Sequence, residues 1–206
     1  MMYIKNPKEI EKRSFEIIGE NIDEKRFDER ELKIVKRVIH TTADFEFADI
    51  LKISKEAIDT GIKAIKEGSN IVTDTKMAMA GINKKTLKRF GCDISCFIDA
   101  PEVLSLAKEK SITRSMASMI IASQDKKNKI FVIGNAPTAL FQLAELIKSG
   151  ILKPDLIIGV PVGFVGAAES KEEVKELGIP YIITEGRKGG SNIAAAIINA
   201  LMYMIE

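Results

Sequence analysis

Lys129-Ile130-Phe131-Val132-Ile133-Gly134-Asn135-Ala136-Pro137-Thr138-Ala139-Leu140-Phe141 (KIFVIGNAPTALF) passes from an apolar run through a glycine turn into an apolar helical pattern. Lys129–Ile133 is too short for a helix and rich in β-branched residues, so it reads as a buried strand. Gly134 permits a strained turn, and Pro137 suits the first position of a helix running to Lys148. A strand delivered straight into a helix is the unit from which parallel sheets are built, because a parallel neighbour can be reached only by a crossover.

Outward from this stretch the pattern recurs. Asn70–Thr73, Asp93–Ile98, Asp155–Val160 and Tyr181–Thr184 read as further strands, and Thr113–Gln124 and Glu169–Leu177 as the clearest further crossover helices. The front third is helical. Pro7–Ile18 carries Ile10, Phe15, Ile17 and Ile18 among charges, Asp28 caps a second helix with the stripe Leu32, Val35, Val38 and Ile39, and Ser54–Glu67 ends at Gly68. With no linker or repeat in sight, residues 1–206 read as one domain. The expected fold is α/β: a flavodoxin-like, doubly wound, five-stranded parallel sheet with helices on both faces and an N-terminal helical segment. In the strand order 2-1-3-4-5, ligands bind beyond the carboxyl ends of the first and third strands, here Asp74–Met77 and Gly134–Thr138.

Lys and Arg total 31 against 29 Asp and Glu, which supplies no basic field for nucleic acid. Cys92 and Cys96 are separated by roughly 13 Å if the chain between them is extended, too far for a disulfide, and a reducing cytoplasm fits. The N-terminus lacks the apolar core of a signal peptide. The run Gly189–Ile205 is broken by Ser191, Asn192 and Asn199, so it reads as a buried helix rather than a membrane span.

Nucleotide motifs are missing: there is neither a G-x-x-x-x-G-K-[ST] loop nor a G-x-G-x-x-G after a strand. One histidine and two badly spaced cysteines cannot close a zinc site. Three turns remain. VIGNAPTALF either receives an anion on its backbone N–H groups or is an ordinary strand-to-helix joint. GVPVGFVGAAESKEE has glycines for close backbone approach, to a ligand or for conformation alone. TEGRKGGSNIAAA puts Arg187, Lys188 and a Gly189-Gly190-Ser191 turn at a helix mouth, a candidate clamp for carboxylate or phosphate. His40, the single histidine, ends a helix and is followed by Thr41 and Thr42. It reads either as a packed helix terminus or as a proton donor near neutrality. Arg114 in ITRSMAS is either a second ligand-facing cation or a surface charge.

EKRSFEII, RVIHTTAD, TDTKMAMAGI, ITRSMAS, VIGNAPTALFQL, GVPVGFVGAAESKE and GRKGGSNIAAAIINAL occur in this order nearly from end to end. Together they resemble the precorrin-8X methylmutase family, including its cobalt-precorrin-8 branch. The resemblance implies an isomerase of cobalamin biosynthesis that moves a methyl group from C-11 to C-12 of a corrin precursor by a 1,5-sigmatropic shift. It implies a homodimer of flavodoxin-like subunits that binds the corrinoid at or near the subunit interface. No cofactor is implied, and any cobalt arrives inside the substrate. His40 takes the position of the histidine that protonates or hydrogen-bonds the macrocycle, and Arg114 and Ser14 match ligand-facing positions. Thr41, Asn135, Arg187, Gly189, Gly190 and Ser191 are further candidates for the substrate, as are Arg13, Asp74 and Met77. Some members carry a Cys-Gly pair where this chain has Thr42-Ala43. The same residues without an acid would make a non-catalytic corrinoid-binding or carrier module.

Overall fold

The computed structural model describes residues 4–205. Helix α1 (Pro7–Glu20) begins at Asn6, whose side chain accepts the Lys8 N–H at 3.0 Å, and Pro7 fills the first helical position. After a 3₁₀ turn (Glu24–Arg26), α2 (Glu29–Thr42) starts with a reciprocal cap. The Asp28 carboxylate accepts the Arg30 and Glu31 N–H groups while Glu31 accepts the Asp28 N–H. Its buried stripe is Ile34, Val35, Val38 and Ile39, and it stops at Ala43, which adopts the left-handed conformation at φ 53°.

A short α3 (Phe47–Ile50) leads into β1 (Leu51–Ile53). There follow α4 (Ala57–Lys66), β2 (Asn70–Thr73), α5 (Lys76–Gly81), α6 (Lys84–Arg89), β3 (Ile94–Ser95), α7 (Pro101–Lys110), α8 (Arg114–Ala122) and β4 (Asn128–Ile133). The chain ends with α9 (Pro137–Lys148), β5 (Leu156–Gly159), α10 (Ala167–Lys175), β6 (Tyr181–Thr184) and α11 (Ser191–Tyr203).

The sheet is six-stranded and mixed, in the order β1-β6-β5-β4-β2-β3. The five expected parallel strands are present, and the correction is a sixth, edge strand that makes the sheet mixed. β2 to β6 are parallel, but β1 joins β6 antiparallel, with Leu51 opposite Thr184 and Ile53 opposite Ile182. Three residues are too few to show a period, and Ser54 secures the pairing by exchanging hydrogen bonds with Tyr181. The strand expected over Asp93–Ile98 contracts to Ile94–Ser95, because only β2 lies beside it.

Alternation within the strands divides the core. Ile71, Ile130, Val132, Ile158 and Ile182 face a cluster shared with α2, α4 and α11, whereas Val72, Phe131, Ile133, Ile157 and Ile183 pack against α8, α9 and α10. Burial on both faces explains why these strands read as nearly continuous apolar runs. Each wholly buried Ile or Leu contributes about 1.5–3 kcal/mol relative to exposure. α11 is buried along most of its length, from Ile193 to Met202, which accounts for the apolar C-terminal run. Among the described residues, no helix is long and apolar enough to cross a membrane.

Candidate functional site

Because β2, β4, β5 and β6 run parallel, their carboxyl ends open on one side of the sheet. There the β2 and β4 ends are locked together by Asp74. Its carboxylate accepts the N–H groups of Gly134 at 2.9 Å and of Asn135 and Ala136 at 2.8 Å each, and the residue is only 1% exposed. Burial raises the Asp74 pKa, and the three N–H donors pull it back. This corrects the reading of VIGNAPTALF as a free anion receptor: the chain's own carboxylate already occupies those N–H groups. Asp74 is aimed into the turn rather than outward. Gly134 carries no side chain because a Cβ would lie 2.7 Å from Ser191 Cα, so α11 can rest on the turn. The Ser191 hydroxyl then meets Thr75 Oγ1 at 2.7 Å.

The turn before α11 is held as closely. A Cβ on Gly189 would sit 2.1 Å from the Val160 carbonyl oxygen, and the Gly190 N–H donates to that same oxygen at 2.8 Å. Gly189 and Gly190 therefore serve close approach of two backbones, and Ser191 is buried at 8% exposure. Arg187 remains exposed, its guanidinium 5.9 Å from the Phe164 ring centroid.

Sequence reasoning missed Lys171, which hides within the charged run SKEEVKE. It is wholly buried on α10, and its ammonium donates to the carbonyl oxygens of Gly186 at 2.9 Å and Lys188 at 2.8 Å. Burial lowers its pKa to about 8. The unfolded chain keeps the ordinary lysine value of about 10.4, so between these values it holds a proton that the folded state has released, and stability rises with pH. Below that window both states are charged and the burial cost is present in full. From about pH 7 to about pH 10.5 the wild type is expected to gain up to about 3 kcal/mol relative to Lys171→Met, measured by urea unfolding. Parallel stability curves for the two proteins would refute this.

His40 stands in the last turn of α2, exposed, with its ring edge-on to Phe15 at a centroid distance of 5.3 Å. Among the described residues it makes no hydrogen bond, so neither ring nitrogen is committed. With Thr41, Asn192, Ala195, Asn199 and Tyr203 it lines a hollow of about 320 Å³ between α2 and α11. Thr41 and Asn192 also line a second hollow of about 340 Å³, with Thr42, Asp44, Val162, Lys188 and Gly189. The two make one open groove leading from His40 toward the strand ends. Phe15, Arg37, Asn192 and Tyr203 were not among the site candidates read from the sequence, where Phe15 counted only as an apolar helix residue and Asn192 only as a break in the C-terminal apolar run.

The remaining candidates are distributed around this groove. Ser14 lies next to Phe15 on α1, its hydroxyl donating to the Ile10 carbonyl at 2.8 Å, and Arg13 is turned to Glu16 and Glu20. Met77 is 71% exposed at the start of α5, and Asn135 is exposed above β4. Arg114 opens α8 on the opposite sheet face, where the Thr113 hydroxyl bonds Thr138 at 3.1 Å and so brings the α8 start beside the mouth. Asp99, paired with Lys76, lies close enough for Arg114 to help lower its pKa, after the larger effect of Lys76. Arg114 and Asn135 thus lie toward α8 and α9, whereas α5, which carries Met77, ends at Gly81 in the same hollow as His40 and Thr41.

The acidic residues after His40 have partners. Lys188 Nζ reaches Asp44 at 2.6 Å and Glu46 at 2.7 Å, and Asp49 pairs with Arg26 at 2.6 Å. The Lys188 contact holds the Asp44 carboxyl below the usual range. Between β5 and α10, Val162, Phe164 and Val165 are 47%, 86% and 89% exposed, an apolar projection at the rim. No cluster of His, Cys, Asp and Glu suited to a metal occurs among the described residues.

Residues 9–204 match the family model described as Precorrin-8X methylmutase. The Cobalt-precorrin-8 methylmutase of Salmonella typhimurium is 50% identical, with 100% of this chain and 99% of that protein covered. The Precorrin-8X methylmutase of a Sinorhizobium species is 38% identical over 97% of this chain and 95% of its own. The crystal structure of the precorrin-8X methyl mutase from Thermus thermophilus superposes with a TM-score of 0.87 at 36% identity, covering 95% of this chain and 96% of that one.

Proposed function

The chain belongs to the precorrin-8X methylmutase family, and from that premise we propose that His40 is the proton donor of a corrin methyl shift. Methylmutases are isomerases, and this chain is one by membership. The reaction moves a methyl group, with its bonding electrons, from C-11 to C-12 of the macrocycle while the ring π bonds shift, giving cobyrinate from cobalt-precorrin-8 or hydrogenobyrinate from precorrin-8X. The relatives named for the cobalt compound include the 50% identical one, against 38% for the precorrin-8X enzyme above, which favours the cobalt-bearing substrate. No methyl donor or resident cofactor takes part.

The observation that carries this reading is an uncommitted imidazole on the wall of an open groove. A hydrogen bond from His40 to a ring nitrogen draws electron density from the conjugated system and stabilises its rearrangement, and the same proton returns to the histidine as product forms. Each hollow is near the lower end of the ligand-pocket range of about 300–1,000 Å³ and is open to solvent. A flat, carboxylated macrocycle therefore needs more cover than one subunit provides. The exposed Val162–Val165 loop and Met77 supply apolar surface for it, and a homodimer of flavodoxin-like subunits closing over the substrate accounts for both. The free thiols Cys92 and Cys96 suit a reducing cytoplasm.

The deciding assay follows the absorption change when the purified protein meets cobalt-precorrin-8 or, separately, precorrin-8X. Conversion of cobalt-precorrin-8 is expected, with slower conversion of the metal-free compound. Tight binding without conversion of either would replace the enzyme by a corrinoid carrier.

A further inference from the structure

We propose that Lys171 is a positioning residue for the His40 groove, acting through Lys188; only its catalytic consequence rests on the methylmutase reading. The Lys188 carbonyl oxygen is held from two elements, by Lys171 Nζ of α10 at 2.8 Å and by the Thr184 hydroxyl at the end of β6, also at 2.8 Å. Lys171 also ties down the Gly186 carbonyl, and the Arg187 carbonyl accepts the Gly163 N–H at 3.1 Å. With its backbone fixed at this point, Lys188 extends its side chain to Asp44 and Glu46 on the loop that leaves His40. Lys188 and Asp44 line the same hollow as Thr41 and Thr42. A buried ammonium thus sets one wall of the groove through a second lysine.

The energetics favour a role in placement over a role in stability. Partly exposed ion pairs such as Lys188–Asp44 contribute at most about 1 kcal/mol. A buried, unpaired ammonium costs more than an apolar side chain of similar volume. Methionine or leucine at position 171 would take the ammonium donor from the Gly186 carbonyl and leave the Lys188 carbonyl with the Thr184 hydroxyl alone.

Amide hydrogen exchange on the intact protein tests the relay without substrate. In Lys171→Met, exchange is expected to rise at least tenfold over residues 185–192 and over residues 41–46, while β4 and β5 keep their protection. Lys188→Met, at an exposed position, should raise exchange over residues 41–46 only, and Lys188→Arg should restore it. Unchanged exchange at residues 41–46 in either methionine variant overturns the proposal. With cobalt-precorrin-8, kcat of Lys188→Met per folded molecule should fall about tenfold with KM within about twofold, because a displaced wall misorients the reacting ring. Unchanged kcat in a variant whose exchange has risen also overturns it. If the wild type converts neither substrate, the methylmutase reading fails, and the exchange comparison still decides the relay.

Discussion

His40→Ala is expected to lower kcat by about 10²–10⁴-fold while leaving substrate affinity within a few fold. The imidazole is exposed, without a hydrogen bond among the described residues, and contributes little packing beyond the edge of Phe15. Its removal should therefore spare both the fold and most of the binding surface. What disappears is an interaction that strengthens as the π-system rearranges, and losses of that kind fall on kcat rather than KM. Stopped-flow spectroscopy at saturating substrate reads this loss. Equal kcat for variant and wild type would remove His40 from the chemistry.

Asp74→Ala is expected to cost about 5 kcal/mol of stability. Three backbone N–H groups converge on this carboxylate, and each buried donor left without a partner costs about 1–3 kcal/mol. Asp74→Asn should be intermediate, since its amide offers one oxygen but turns an NH₂ group toward the same donors. At about 2–4 °C per kcal/mol for a chain of this size, the alanine variant should melt at least 10 °C below the wild type in calorimetry. A shift under about 3 °C would mean that the strand ends hold together without the clamp. Because Asp74 reaches only the chain's own backbone, a stable variant should keep its affinity for substrate.

The parallel strands were legible because strands buried on both faces are written as uninterrupted β-branched runs. β1 was not, since three residues carry no period and their partner lies in β6, far along the chain. Helices α5, α6 and α7 were likewise hidden: Lys84–Arg89, for example, is mostly basic and shows no apolar stripe. At the site, His40 could be singled out by its uniqueness and the glycines by their clustering, and at Gly189 the structure gives the reason, a carbonyl oxygen where a Cβ would be. The role of Asp74 lay beyond the sequence because its three donors come from residues 134–136. Lys171 was hidden by its charged neighbours, although α10 turns that one lysine inward. The loop acids Asp44 and Glu46 made no sense without Lys188, which folding alone brings to them.

The sheet's two margins constrain how copies of the chain can meet. An open sheet normally invites a second chain to extend its ladder. Here one margin is the three-residue β1, where Lys52 reaches across to Glu185 and to the Asp49 carbonyl. The other ends in the two-residue β3. Neither has the length for strand-to-strand recruitment, so the homodimer proposed above would be held by side chains, on helices and on the Val162–Val165 projection. A dimer built in that way would tighten or loosen around a guest without breaking a single backbone ladder.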